Sequence, residues 1–283
     1  MNTKRNVIIT CGDASVGDFI VNEWLRSLVS TTNLTDIHVA ILDYGFTESQ
    51  RAGLRASGVV ELVPCIRDGH VVTLRFRDMA TYLATRTYDQ VMATDGGDVI
   101  FQEDIGHLFK ENTEAFRAAC EDFRQLFDDV GAFKYALTEN IAEEVHATMR
   151  TRLTINAGVL LGPRERFVTL CQFCFLHIKR PDNFGPDQAL VGYYLYTHGF
   201  VQLARRYNFI SYMSRESFSV RDGYFYDEQQ RRIAIVHNAG RFSTLRAIRN
   251  FGYGPGHNHL KRIRLYTYRA LLKLFALWQL RLG

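Results

Sequence analysis

Short apolar strands alternate with helices early in the chain, and this alternation constrains the fold more than any other feature. Residues 6–11 are predicted to form a buried strand rich in β-branched side chains, and residues 36–42 and 59–63 repeat the pattern. A helix with Ser15 as its expected N-cap follows the first strand, and a helix over 47–57 follows the second. Strands separated by helices indicate an α/β fold with a parallel, nucleotide-type sheet.

The residues just after the first strand are candidates for ligand binding. In open α/β sheets, ligands bind beyond the carboxyl ends of the strands. Asp13 lies at that position, and Thr10 and Cys11 end the strand itself, so we assign all three to a nucleotide site. The alternative for Asp13 is a helix-capping acid.

An acidic break follows the apolar run 88–94, where Asp95 and Asp98 flank two glycines. Residues three apart on an extended strand point to opposite faces. The glycines permit a positive φ, and such a kink would turn both carboxylates toward one point. Two convergent carboxylates suit a hard divalent cation. The alternative is a solvated Asp-Gly turn.

Further candidates lie on or beside the remaining predicted elements. These elements are a helix over 78–86, a solvated helix over 111–127, a strand over 153–162, helices over 166–178 and 186–196, and a strand over 232–236. Arg75 and Arg77 precede the first of these helices and would suit a diphosphate. Asp187, in a first helical turn, either complements the helix dipole or faces a hydroxylated ligand. His237 follows the last strand as a metal ligand or a structural histidine.

The order of these segments is more specific than any one of them. An early Asp is followed by DGGDVIF, NAGVLLG, PDQAL and VHNAGR, over residues 7–241. This series resembles the glycosyltransferases of the glycogenin and lipopolysaccharide galactosyl- or glucosyltransferase group. The resemblance implies the GT-A fold, an α/β architecture in which helices flank a central mixed sheet. It also implies a Mn²⁺ or Mg²⁺ cofactor, usually a UDP-sugar donor, and retention of anomeric configuration.

The resemblance assigns roles to individual residues. The metal motif falls on Asp98, with Asp95 one position early, and His237 becomes the third metal ligand. Asn156 would contact the donor sugar or the reaction centre. Asp187 would bind sugar hydroxyls, and Gln188 would lie near the face of the anomeric carbon.

The resemblance also assigns the binding of the diphosphate. Arg75 or Arg77 would reach it, and Gly240 and Arg241 belong to the matching His-x-x-Gly segment. Two departures stand out: the metal motif is Asp-x-x-Asp, and no Lys-Pro-Trp follows His-x-x-Gly. Arg241 or Arg246 would then replace that lysine.

The last 25 residues, 259–283, differ from the body of the chain. They are predicted to form an amphipathic helix whose basic face and aromatic-apolar face suit a membrane surface. The apolar face comprises Leu260, Leu271, Phe275, Trp278 and Leu282, and the basic residues are Lys261, Arg262, Arg264, Arg269, Lys273 and Arg281. The alternative is a helix packed on the protein or on a second subunit. We predict a glycosyltransferase domain over 1–250 and this tail over 251–283.

Composition limits the partners and the alternatives. The net charge of +4 is too small to indicate nucleic acid, and the five cysteines are odd in number and scattered, which favours a reduced, cytoplasmic protein. We expect it at the cytoplasmic face of the inner membrane, where a glycan or lipid-linked saccharide would be the acceptor. The alternatives are a non-catalytic sugar-nucleotide or glycan-binding protein on the same fold, and a nucleotidyltransferase.

Overall fold

Strands and helices alternate through the first third of the chain in the computed structural model, as the apolar pattern predicts. The structure describes residues 4–122, 136–182, 185–212, 214–239, 246–267, 269–271 and 274. Its strands are β1 Asn6–Gly12, β2 Ile37–Asp43, β3 Val60–Pro64, β4 Gln90–Thr94, β5 Val99–Phe101, β6 Phe116–Cys120, β7 Ile155–Pro163, β8 Phe200–Gln202, β9 Phe209–Ile210, β10 Ser219–Arg221, β11 Tyr224–Tyr226, β12 Ile235–His237, β13 Ile248–Arg249 and β14 His259–Leu260.

The helices pack on both faces of these strands. They are α1 Ala14–Phe19, continued by a π-helical segment Ile20–Leu25 into α2 Arg26–Thr31, then α3 Glu48–Ala56, α4 Val71–Ala84, α5 Glu139–Met149, α6 Arg164–His177 and α7 Pro186–His198. There are also two 3₁₀ turns, Gly106–Lys110 and Arg205–Tyr207, and helical residues near the C-terminus that are described below.

The central sheet is mixed. Its strand order is β3-β2-β1-β4-β7-β6-β8. The first four strands are parallel, as the alternation with helices requires. Beyond β4 the direction changes, because β7 pairs antiparallel with both β4 and β6. A smaller sheet, β5-β12-β9, lies beyond the end of β4, and β10–β11 and β13–β14 form two-stranded ladders.

Both faces of the central sheet are covered, so its inner strands β1 and β2 are mostly apolar and buried. Val7 and Ile9 of β1 pack with Leu74 and Leu83 of α4 in one layer of the core. Ile8, which points the other way, packs with the opposite layer, which includes Ile20, Trp24 and Leu54. Burial on both faces is the reason that these strands show continuous apolar runs rather than alternation.

The helix predicted over 111–127 is wrong for its central part, where β6 forms instead. Strand β6 lies between β7 and β8, and this pairing overrides the local helical pattern. Arg117, within β6, is buried, and its guanidinium donates hydrogen bonds to the carbonyl oxygens of Leu108 and Glu111 and to the side chain of Gln90. Residues 123–127 lie outside the described residues.

Three further element boundaries differ from the prediction. The helix expected over 78–86 begins at Val71, so Arg75 and Arg77 lie within α4 rather than before it. The first helix is capped by Asp13, not Ser15: the Asp13 carboxylate accepts from the Ser15 backbone N–H at 2.9 Å. The strand expected over 232–236 ends one residue later, so His237 is its last residue.

The helix predicted over 259–283 starts too early: residues 259 and 260 form strand β14, and Leu260 packs against a core cluster instead of lying on a helix face. The described helical residues are 262–267, 269–271 and 274. Strand β14 pairs with β13 across the predicted boundary at residue 250, and that division of the chain stays a prediction. The tail residues Phe275, Trp278, Leu282, Lys273 and Arg281 lie outside the described residues. Among the helices that the structure does describe, none combines the length and apolar character that crossing a membrane requires.

Candidate metal centre and its surroundings

Pairing between two short strands brings the candidate metal ligands together. Asp95 directly follows β4, and Asp98 directly precedes β5. Strand β12 pairs antiparallel with β5 so that His237 lies opposite Val99. The backbone N–H of Asn238 also donates to the carbonyl oxygen of Asp98 at 2.8 Å. Ligands that are about 140 positions apart in sequence therefore meet at the point where the central sheet changes direction.

The two glycines between the aspartates are needed for close packing, not for a positive φ. Neither Gly96 nor Gly97 has a positive φ, so the prediction of a kink produced by a positive φ at these glycines is wrong. A Cβ at Gly96 would lie 2.8 Å from Thr10 Oγ1, and one at Gly97 would lie 2.9 Å from Val16 Cγ1. The loop therefore lies tightly on β1 and α1, which places both carboxylates on one side.

Three ligand atoms converge on one point. Nε2 of His237 lies 3.2 Å from Oδ1 of Asp98 and 3.5 Å from Oδ2 of Asp95. One ligand atom from each residue lies within 4.8 Å of the other two. Although His237 is only 2% exposed, its Nε2 has no hydrogen-bond partner among the residues that the structure describes. A buried ring nitrogen without a hydrogen bond, facing two carboxylates, is what a bound cation would satisfy.

The electrostatics of the cluster favour positive charge between the carboxylates. Burial opposes protonation of His237, but Asp98 and then Asp95 outweigh it, so the pKa of His237 is raised. Burial acts to raise the pKa of Asp98, but His237 and Arg246 hold that pKa below its usual range. Nη2 of Arg246 lies 3.4 Å from Oδ2 of Asp98. A set of two carboxylates and one imidazole fits Mn²⁺.

Arg75 links the metal cluster to the start of α7. Its Nη1 lies 2.6 Å from Oδ1 of Asp95, and its Nη2 lies 2.9 Å from Oδ2 of Asp187. Burial would lower the pKa of Arg75, but these two acids raise it well above the usual value. Burial raises the pKa of Asp187, and Arg75 offsets only part of that effect. Gln188, next to Asp187, is half-buried, and its side-chain amide has no hydrogen-bond partner among the described residues.

Other predicted binding residues lie around this cluster with partners of their own. The Thr10 hydroxyl donates to the Thr94 carbonyl at 2.8 Å, and burial raises the pKa of the Cys11 thiol to about 12. Asp13 forms an ion pair with Arg67 at 2.8 Å in addition to its capping bond. Arg77 lies on a different face of α4 from Arg75, since it is only two residues further on.

The guanidinium of Arg77 pairs with two acids outside the metal cluster, Asp68 at 2.7 Å and Asp78 at 2.9 Å. Of the two arginines that the sequence offers for the diphosphate, the structure brings only Arg75 to the metal cluster. Gly240 and Arg241 lie outside the described residues. The roles of all these side chains in binding a nucleotide stay predictions.

The side chain of Asn156 is hydrogen-bonded to other protein groups. Its Nδ2 donates to Glu121 Oε1 at 2.9 Å, and its Oδ1 accepts from the Gly158 backbone N–H at 3.0 Å. Nδ2 of Asn208 also donates to Asn156 Oδ1 at 2.9 Å, and Asn208 Oδ1 lies 3.2 Å from Nδ1 of His237. The predicted contact of Asn156 with a donor sugar stays a prediction.

Sequence reasoning missed Glu121 and Asn208 for different reasons. Glu121 fell within the helix wrongly predicted over 111–127, where acidic residues were assigned to a solvated face. Asn208 is a single amide just before the two-residue strand β9, and its contact with Asn156 spans 52 positions. No local pattern in the sequence marks it.

Comparison with solved structures identifies the fold. The galactosyltransferase LgtC, solved in complex with donor and acceptor sugar analogues, matches with a TM-score of 0.58 and 15% identity, over 95% of each chain. An active-site mutant of the same enzyme matches with a TM-score of 0.56 and 16% identity, over 94% of this chain and 95% of that one. By sequence, no protein-family model and no curated protein matches. The chain therefore has the GT-A fold, the α/β architecture that its order of motifs predicts.

Proposed function

We propose that this protein is a metal-dependent glycosyltransferase that moves a hexose from a UDP-sugar to a cell-surface glycan or lipid-linked acceptor, with retention of configuration. The observation that carries the proposal is the convergence of Asp95, Asp98 and His237, with ligand atoms within 4.8 Å of one another. The fold supports it, because a galactosyltransferase with the same fold was solved with donor and acceptor sugar analogues.

The donor diphosphate is assigned to the metal cluster. Asp95, Asp98 and His237 would hold the divalent cation, and their mixed oxygen and nitrogen ligands suit Mn²⁺, whereas oxygen ligands alone would favour Mg²⁺. Such a cation would stabilise the negative charge that develops on the departing diphosphate oxygen. Asp13, beyond the end of β1, is assigned to the nucleotide.

The donor sugar is assigned to the start of α7. Arg75 bridges Asp187 and Asp95, so the Asp187 carboxylate lies at the edge of the metal cluster. In that position it would accept hydrogen bonds from sugar hydroxyls. The side-chain amide of Gln188, for which the described part of the chain offers no hydrogen-bond partner, is assigned to the face of the anomeric carbon. Attack by the acceptor hydroxyl from the side on which the diphosphate leaves would retain the configuration.

Turnover of UDP-sugars tests this function. We expect the wild-type protein with Mn²⁺ to hydrolyse or transfer at least one UDP-hexose, and Asp98→Ala to reduce that rate by roughly 100-fold or more. Asp89→Ala is the matched control, since Asp89 lies at the opposite end of β4 and pairs with Arg5 on the surface. A sugar-nucleotide-binding protein would show no turnover in any of the three.

The tail is proposed to hold the enzyme on the cytoplasmic face of a membrane. On one side of this helix Leu265 is buried. Arg269 was predicted to face the membrane, but its guanidinium donates to the carbonyl oxygens of Ser211 and Glu216 at 3.2 and 2.9 Å. The other side of the helix leaves apolar residues exposed. These are Ile263, Tyr266, Leu271 and Leu274, with Ile263 83% exposed.

Exposed apolar side chains beside basic residues suit an anionic bilayer surface. We expect the full chain to sediment with vesicles that contain phosphatidylglycerol, and Ile263→Glu to weaken that binding. Binding that is equal for both proteins would contradict the membrane role of this face.

A further inference from the structure

We propose that Asn208 is a positioning residue that fixes the tautomer and orientation of His237, supported by a hydrogen-bonded chain through Asn156 to Glu121. This inference rests on the metal site of the proposed function. It concerns Asn208, Asn156 and Glu121, which would not contact the cation themselves. All four side chains are buried.

The orientation of the Asn208 amide follows from a backbone carbonyl. Its Nδ2 lies 3.3 Å from the carbonyl oxygen of Asn156 and 2.9 Å from Asn156 Oδ1. A carbonyl oxygen can only accept, so the NH₂ group of Asn208 must face Asn156. The oxygen of the same amide then has to face Nδ1 of His237, which lies 3.2 Å away.

The orientation of Asn156 follows in the same way from a backbone N–H. The Gly158 N–H can only donate, and it lies 3.0 Å from Asn156 Oδ1. The NH₂ group of Asn156 must therefore point away from it, toward Glu121 Oε1 at 2.9 Å. One backbone acceptor and one backbone donor thus define the direction of every hydrogen bond in the chain, from the imidazole to the carboxylate.

This direction determines which nitrogen of His237 can bind a cation. An oxygen that only accepts requires a proton on Nδ1, so the lone pair of the neutral ring is left on Nε2. Nε2 is the atom that faces Asp98 and Asp95 at 3.2 and 3.5 Å. The ring is also fixed from one side by Gly158, where an added Cβ would lie 2.1 Å from His237 Cε1. Hydrogen bonds to the second nitrogen of a ligating histidine orient the ring and increase its basicity.

Metal affinity tests the inference without relying on turnover. Asn208→Leu keeps a similar volume but removes the acceptor for Nδ1, and we expect the dissociation constant for Mn²⁺, measured by electron paramagnetic resonance, to rise 10- to 100-fold. Asn258→Leu is the matched control. Asn258 is 2% exposed, against 4% for Asn208, and it donates to the Gly223 and Gly252 carbonyls. Both variants should melt at a lower temperature, but only Asn208→Leu should lose Mn²⁺ affinity.

Nitrogen NMR provides a second test, in which the tautomer is observed in the wild-type protein and a variant is used only to assign signals. Among nine histidines, His237 is assigned by the signals that disappear in His237→Gln. With diamagnetic Mg²⁺ bound, we expect a proton on Nδ1 and coordination through Nε2. A proton on Nε2 would overturn the inference.

The outcomes separate this inference from the proposed function. If the wild type binds no Mn²⁺, the metal site itself fails and the inference fails with it. If the wild type binds Mn²⁺ and His237→Gln weakens binding, but Asn208→Leu matches Asn258→Leu, the metal site stands and the role of Asn208 is refuted.

Discussion

At the scale of single residues, the candidate site depends on close contacts between backbone and imidazole. Strand β7 passes directly behind His237, and Gly158 leaves room for the ring. The same glycine contributes its N–H to Asn156 and its carbonyl oxygen to the Asp95 backbone N–H at 2.9 Å. One residue therefore positions a metal ligand on each side of it, and only a residue without a Cβ fits.

Gly158→Ala is expected to damage the metal site. A Cβ there would lie 2.1 Å from Cε1 and 2.6 Å from Nδ1 of His237, so the imidazole must move. We expect Mn²⁺ affinity to fall at least about 10-fold. The control is Gly53→Ala on α3, where the added Cβ would lie nearest the Val21 side chain, at 2.9 Å. Unchanged Mn²⁺ affinity in Gly158→Ala would show that the ring is not held by this contact.

The buried carboxyl of Glu121 gives a prediction about pH. Burial raises the pKa of Glu121 to about 7, from a usual value of 4.5. Between these values the folded protein keeps a proton that the unfolded chain has lost, so the free energy of unfolding falls as pH rises through this window. Glu121→Gln stays neutral and keeps an acceptor for Asn156.

We therefore expect Glu121→Gln to match the wild type near pH 4.5 and to be more stable above pH 7, by roughly 3 kcal/mol at most. Urea denaturation of the metal-free proteins at several pH values measures this difference. Parallel pH profiles for the two proteins would mean that Glu121 is already charged in the fold at neutral pH.

At the scale of elements, helix α4 connects three parts of the molecule. It packs on the sheet through Leu74 and Leu83, and through Arg75 it ties the end of β4 to the start of α7. A buried arginine between two acids contributes little net stability by itself, but removing it leaves the buried carboxylate of Asp187 unpaired. The helix therefore determines both the stability and the shape of the site.

Arg75→Met is expected to lower the free energy of unfolding by about 3–5 kcal/mol, because Asp187 would be left buried without a counter-charge. Arg77→Met, two residues further along the same helix, is the control. Arg77 pairs with the more exposed Asp68 and Asp78, so its removal should cost about 1 kcal/mol or less. Equal losses in urea denaturation would contradict the central position of Arg75.

The elements differ in how far the sequence could predict them. Strands β1, β2 and β3 were predicted to within one residue, because strands buried on both faces carry their own apolar signal. Strand β6 was missed, because its conformation comes from pairing with β7 and β8 and not from local preference. The predicted start of helix α4 was seven residues too late, because its first turn contains β-branched Val71 and Val72, which weaken the helical pattern.

The metal ligands of the site could be predicted because the order of motifs along the chain resembles that of a known glycosyltransferase group. Residues that join the site only through contacts between distant parts of the chain could not be predicted. The meeting of Asp95, Asp98 and His237 was expected from that resemblance, whereas neither spacing nor composition implies it. Asn208 could not be found, since its importance arises only after β9 and β12 pair.

At the scale of the whole molecule, the candidate site lies where two kinds of sheet meet. The parallel strands β1 to β4 end beside β7, which runs antiparallel, and the small sheet β5-β12-β9 lies beyond β4. This arrangement makes an edge that loops from several elements share. A ligand bound there would contact parts of the chain that are far apart in sequence, so its binding should stabilise the fold as a whole.

Thermal denaturation measures this coupling. UDP at about 100 times its dissociation constant, with Mn²⁺, should stabilise the folded state by about 2.7 kcal/mol, which raises Tm by roughly 4–5 °C for a chain of 283 residues. Because the cation would join the diphosphate to Asp95, Asp98 and His237, UDP with a chelator should give a much smaller shift. Asp98→Ala should lose the metal-dependent part, and Asp89→Ala should keep it. If UDP raises Tm equally with Mn²⁺ and with the chelator, the nucleotide binds without the metal cluster, and the two sites proposed as one are separate.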